Sequence, residues 1–401
     1  MAIARVRPGN YPAVLSYGFR PFFLLGSLQA GLAILVWLPL YYGHLATASL
    51  FAPVDWHVHE MLFGYLPAVM TGFLLTAIPN WTGRLPVQGV PLLVLALLWL
   101  AGRVAVFFSS EIGWAVAAAI DGAFLLTVVM VAAREIIAGK NWRNLKVLAP
   151  VTVLLVANIL FHWEANQYGI TDVSRRLGLG AVIVLILVIG GRIIPSFTHN
   201  WLSRENPGRL PISFNRFDAA VIVVSALALT GWTFLPDRSE TGLLLILAAL
   251  LNVARLLRWA GDRTWRDPLV FILHVAYVFV PIGFLSAGLA VLAPDIVPPA
   301  AGIHAFGAGA VGTMTLAVMI RATLGHTGHA LKAGPAVCMI FLAVIIAALL
   351  RLAAACHPSL TGLMPLSGAA WAVAFLGYAV FFAPLLLKPR QRAQPVAAPA
   401  Q

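Results

Sequence analysis

Charge is what this chain has least of. Only 10% of its 401 residues are charged, and 14 are acidic, where a soluble globular domain carries about a quarter. With 61% hydrophobic residues, that scarcity excludes a soluble globular protein. It leaves an all-α polytopic membrane protein, because helices satisfy their own backbone groups inside lipid. Cysteine is almost missing. Cys338 and Cys356 lie near opposite ends of one apolar stretch, and the 18 residues between them span roughly 27 Å of helix, too far to pair. A disulfide framework and a cysteine metal site are excluded. No linker is long enough to separate domains, so residues 1–401 read as a single transmembrane helical domain.

What is present is a succession of apolar windows of about twenty residues. They fall near 22–42, 57–79, 89–108, 112–138, 145–163, 176–196, 217–235, 240–259, 268–292, 301–323, 333–354 and 362–387. Short loops marked by Pro, Gly and Asn join these twelve spans. Arg5, Arg7 and Arg20 precede the first window as in a signal peptide, and Ala46-Thr47-Ala48 resembles a cleavage site. Pro21–Tyr42 exceeds the usual signal core of about 7–15 residues, so it reads as a permanent span.

The net charge of +12 does not mark a nucleic-acid partner, because the basic residues sit in loops between spans. The partner they imply is the lipid bilayer. An even number of spans brings both termini to one side, and twenty of the 26 basic residues fall there. The exceptions are Arg103, Arg175, Arg176, Arg192, Arg238 and Arg351. The positive-inside rule then places both termini in the cytoplasm. Arg20 and Arg192 read as cations snorkelling from helix ends.

Topology sorts the histidines by depth. His44, His57, His59, His162, His304 and His357 lie toward the outer face, and His199, His274, His326 and His329 toward the cytoplasm. Convergence in depth from distant segments is how a site between helices is built. Imidazole is also a common ligand for iron and copper. His44 and His357 sit in loops and read as solvated. In Trp56-His57-Val58-His59-Glu60-Met61, His57 and His59 point about 200° apart on a helix. One regular helix therefore cannot turn both to one metal. Glu60 lies near the face of His57 and could fix that ring's tautomer. The plainer reading is an interfacial belt of Trp and His.

His304 opens a span rich in small residues, Gly307, Gly309, Gly312, Thr313 and Thr315. Its GxGxxG pattern lacks the preceding strand of a nucleotide fingerprint. Small residues there allow close approach of a neighbouring helix or of a flat macrocycle. A histidine at the outer end of this span and one at the outer end of the second would suit axial ligation of a haem between them. No CxxCH attachment motif is present, so the haem would be non-covalent, a heme b. Walker motifs and nucleophile elbows are absent too. His274 lies inside the ninth span, as ligand or as hydrogen-bond partner to another helix. His326 and His329 are three apart, but two glycines argue against a regular helix, and a solvated loop competes with a metal pair. Asp121 and Arg103 lie within adjacent spans and read as an ion pair, since an intramembrane carboxylate needs a partner or a proton.

Several of these segments together resemble the NnrS family. They are Tyr17-Gly18-Phe19-Arg20-Pro21-Phe22-Phe23, Trp56-His57-Val58-His59-Glu60-Met61, Thr76-Ala77-Ile78-Pro79-Asn80-Trp81, Gly190-Gly191-Arg192-Ile193-Ile194-Pro195, Leu273-His274-Val275-Ala276-Tyr277, His304-Ala305-Phe306-Gly307 and Arg321-Ala322-Thr323-Leu324-Gly325-His326. The resemblance implies a bacterial inner-membrane protein containing haem and copper, linked to denitrification and to tolerance of nitric oxide and nitrosative stress. It supplies a role rather than a reaction, and leaves open whether the protein is an enzyme. Nitric oxide would be ligand or substrate, with the electron donor undefined.

A fainter similarity is to the catalytic subunits of haem–copper oxidases, which also have twelve spans. Their second span carries a haem-ligating His followed by Met, Pro, Gly and Asn, spaced like His59, Met61, Pro67, Gly72 and Asn80. On that analogy His59 and His304 are the axial ligands of one haem, with His57, Glu60 and His274 supporting them or holding a second metal. Arg103 and Arg351 would neutralise propionates. Spans six and seven lack the copper-ligating histidines of those oxidases, so an oxidase-type binuclear centre is not expected. The rival readings are a twelve-span secondary transporter, which should show related halves, and a haem-based nitric oxide sensor. No repeat relates residues 1–200 to 201–401.

Overall fold

The computed structural model describes residues 9–390. Arg5, Arg7 and Arg392, counted in the charge bias, lie outside the described residues. Twelve helices are long and apolar enough to cross a membrane, and no strand occurs among the described residues. They are α1 (Phe19–Tyr41), α2 (Pro53–Thr82), α3 (Val90–Phe107), α4 (Trp114–Ala138), α5 (Leu148–Tyr168) and α6 (Asp172–Glu205). The second six are α7 (Arg216–Phe234), α8 (Ser239–Leu257), α9 (Pro268–Leu292), α10 (Pro299–Thr327), α11 (Pro335–Cys356) and α12 (Leu363–Leu387).

The expected windows are all found. The largest departure is α6, whose 34 residues make roughly 51 Å of helix. Hydropathy ends that window at 196, but nothing breaks the helix before Asn206-Pro207. Proline opens α9, α10 and α11 at their first positions, where its missing N–H costs nothing. Gly83 and Gly328 end α2 and α10 in the left-handed region, with φ of 70° and 88°. The helix thus runs through Gly325 and His326 to Thr327, so His326 and His329 do not share a helix face.

Helices adjacent in sequence pack on one another around the bundle, and α12 closes back on α1. Around the outside α1 packs on α12, α4 on α5 and α8 on α9, while α2, α6 and α10 touch one another inside. The most apolar stretch of α2 is 83% buried. Arg20 is not a snorkelling cation. It is buried and donates to the carbonyls of Leu385, Leu386 and Lys388 at 3.2, 2.8 and 2.6 Å, capping α12. A second buried ion pair, Arg255 Nε to Asp218 Oδ1 at 3.0 Å, joins α7 to α8, and Tyr277 of α9 accepts from Arg255 at 3.1 Å.

Two of the inner helices share an irregularity. In α2 the segment Glu60–Tyr65, and in α10 the segment Ala305–Gly312, is wound as π-helix. Each follows directly on a histidine, His59 and His304. Such segments interrupt the regular ladder and re-aim the side chains around them, and they recur at functional sites.

Candidate functional site

Near the face opposite the termini, α1, α2, α6, α7, α10, α11 and α12 surround a cavity of about 320 Å³, within the usual range for small-molecule sites of roughly 300–1,000 Å³. His57 and His304 both line it, with Arg175, Arg176, Arg351 and Tyr65. The rest of its wall is apolar and aromatic. The His57 ring stacks on Trp37 at 4.2 Å between centroids, and its Nδ1 is buried without a hydrogen-bond partner. His304 Nδ1–H donates to Ala300 O at 2.7 Å. That bond fixes the tautomer and leaves Nε2 as the ring's lone-pair nitrogen.

The small residues of α10 divide between the two roles expected of them. A side chain at Gly309 or Gly312 would strike Phe279 or Trp371, so these two permit helix packing. Gly307 lines the cavity, and a Cβ there would meet nothing within 4 Å.

His59 is elsewhere. It is wholly buried, and its Nδ1–H faces Glu60 Oε1 at 3.3 Å. Its Nε2 lies 3.1 Å from Asn158 Oδ1 and 3.2 Å from Asp121 Oδ2. His162 Nε2 approaches the same Asp121 oxygen at 3.3 Å, and Asn158 Nδ2 donates to it at 2.9 Å. Arg103 donates to Glu60 Oε1 at 2.7 Å and is also paired with Asp121 Oδ1. Gln29 donates to the other Glu60 oxygen. Helices α1 to α5 thus each supply a side chain to one buried polar cluster. Its room comes from two glycines: a Cβ at Gly64 would press on Arg103, and one at Gly102 on Asp121. Trp99 Nε1–H takes the Gly64 carbonyl at 2.9 Å, a backbone acceptor within the π segment.

The expected site residues therefore separate. The cavity brings His304 together with His57, not with His59, because the two α2 histidines diverge by about 200°. Glu60 faces His59 rather than His57. Arg103 is held by two carboxylates inside the cluster and does not line the cavity, whereas Arg351 does. The expected Arg103–Asp121 pair is present. His274 is buried near the terminal face, bonded to Thr198 Oγ1 at 2.8 Å. His326 packs against Tyr17 and Phe19 at 5.6 and 5.5 Å and lines a different cavity, with Arg192 and Arg321. Neither joins the other histidines in a donor cluster. Among the described residues, His59, Asp121 and His162 are the one group of three such side chains whose donor atoms lie within 4.8 Å of one another.

Sequence reasoning placed His162 in the outer layer but gave it no role, and passed over Asn158. The available signal was depth: Asp121 and His162 sit at matching heights on consecutive spans. Four of the six basic residues on the wrong side for the positive-inside rule belong to these two places. Arg103 serves the cluster, and Arg175, Arg176 and Arg351 serve the cavity.

Twelve helices with imidazoles gathered at two buried places near one face define a polytopic α-helical membrane protein organised around histidine sites. The chain belongs to the NnrS protein family, which matches residues 13–390. That membership carries a relation to the nitric oxide response. No curated protein and no solved structure matches the chain.

Proposed function

We propose that this is a haem-binding protein of the bacterial inner membrane that contributes to nitric oxide tolerance, with the haem held between His57 and His304. The observation that carries the reading is the cavity they share. One imidazole has its Nδ1 committed to a backbone carbonyl, and the other has a buried nitrogen without a partner. Two imidazoles in one apolar cavity are a donor set for haem iron, and neighbouring guanidiniums suit a ligand bearing carboxylates. Gly307 leaves one wall free of a side chain where a flat ring would lie. The residues present fit the group.

When bound, haem would supply one-electron redox chemistry. The chain's own contribution is positional. Ala300 O holds the His304 ring by its Nδ1–H. Trp37 holds the plane of His57. Arg175, Arg176 and Arg351 offer positive charge to carboxylates, and the apolar wall excludes water. The Tyr65 hydroxyl, bonded to Thr315, is a polar group at the cavity wall. Copper would be a second metal, bound apart from the haem. A transporter built of two related halves is not favoured, because no repeat relates residues 1–200 to 201–401.

The test is the visible spectrum of detergent-purified protein, oxidised, reduced and with nitric oxide. Wild type is expected to give a reducible low-spin b-type spectrum, and His57→Ala and His304→Ala each to abolish or convert it. Retention of the wild-type spectrum in both variants contradicts the assignment.

A further inference from the structure

We infer that His59, Asp121 and His162, with the amide oxygen of Asn158, form a site for a first-row transition-metal ion, separate from the His57–His304 cavity. Glu60 and Asp121 are two buried carboxylates, and Arg103 is the one guanidinium between them. One negative charge is left over in a dry place, which favours a positive ion beside the carboxylates.

The His59 ring shows where that cation belongs. Acceptors face both of its nitrogens: Glu60 Oε1 on one side, Asp121 Oδ2 and Asn158 Oδ1 on the other. Because Asn158 Nδ2 donates to Asp121, the amide orientation is fixed with Oδ1 toward His59. A neutral imidazole carries one N–H, so its lone pair abuts oxygen unless a metal ion or a proton lies between. With Nδ1–H donated to Glu60, Nε2 turns its lone pair toward Asp121. A ligating histidine whose other nitrogen donates to a carboxylate is the usual second-shell arrangement of metal sites.

The spacing of the donor atoms is that of a metal site. A charge-assisted hydrogen bond between imidazolium and carboxylate is about 2.7–2.9 Å. Both imidazole nitrogens instead stand 3.2 and 3.3 Å from Asp121 Oδ2. Ligand atoms about 2.0–2.1 Å from a tetrahedral ion lie roughly 3.3 Å apart. His162 is buried too, turns Nε2 to the same oxygen, and keeps an unpartnered Nδ1. Phe51, Phe63 and Phe161 ring His59 at 4.9, 5.3 and 5.3 Å, keeping water out. Two imidazoles, a carboxylate and an amide oxygen suit zinc, copper or cobalt rather than calcium or magnesium, which prefer all-oxygen shells.

The experiment loads chelator-treated protein with Zn(II), then Co(II), in detergent and measures bound metal per chain after gel filtration. Wild type is expected to retain about one ion, with Co(II) resonance spectra carrying the signature of coordinated imidazole nitrogen. His162→Gln and Asp121→Asn should each weaken retention at least 100-fold. The haem spectrum of His162→Gln should stay unchanged, which shows that the variant folds and keeps this result distinct from failure of the haem assignment. Wild type that retains no ion, nitrogen-free Co(II) spectra, or undiminished binding by both variants overturns the site.

Discussion

At His57 the chain surrounds an imidazole with apolar and aromatic groups and leaves space beside it. Two residues further along α2, at His59, it surrounds an imidazole with two carboxylates, an amide and a second imidazole, and leaves almost none. On the proposed reading the cavity takes something large and flat, and the cluster takes one small cation. A helix separates side chains at i and i+2 by about 200°, so this one turn of α2 serves two neighbouring interiors. The π segment that follows both histidines brings Gly64 against Arg103 on the cluster side and Tyr65 against the cavity.

The comparison can be broken at several points. The largest effect is expected at Arg103, the one positive charge between Glu60 and Asp121. Arg103→Leu removes the guanidinium shared by two buried carboxylates, and losing one partner of a buried pair costs about 3–5 kcal/mol. Loss of folded protein, or a large drop in unfolding temperature in detergent, is the expected outcome. An unchanged unfolding temperature would mean that the cluster is not a charge-balanced unit. A smaller and more selective effect is expected at Gly307, where a side chain would enter open space. Gly307→Leu should lower haem content while leaving folding and metal retention at the cluster intact. Normal haem content in that variant would place the macrocycle away from α10.

Much of the architecture was legible because a membrane imposes it. Twelve apolar windows, short loops and the bias of basic residues required only length and hydropathy. The ion pair of Arg103 with Asp121 followed from the cost of isolated charge in lipid. The pairing of His304 was less accessible. Periodicity shows that His57 and His59 diverge, but not which one turns toward α10, because that depends on the rotation of α2 in the bundle. Spacing like that of another family favoured His59, and the packing of Trp37 and Phe51 against α2 places His57 there instead. Asn158 and His162 were obscure for another reason. A cluster drawn from α1 to α5 leaves only one or two residues on each, and no local pattern connects them.

The contrast between these neighbouring positions is best tested by measuring haem and bound metal in the same preparations of His57→Ala and His59→Ala. His57→Ala is expected to lose the b-type spectrum and retain its metal ion, and His59→Ala to retain the spectrum and lose the ion. Loss of haem in His59→Ala with haem kept in His57→Ala would contradict the account.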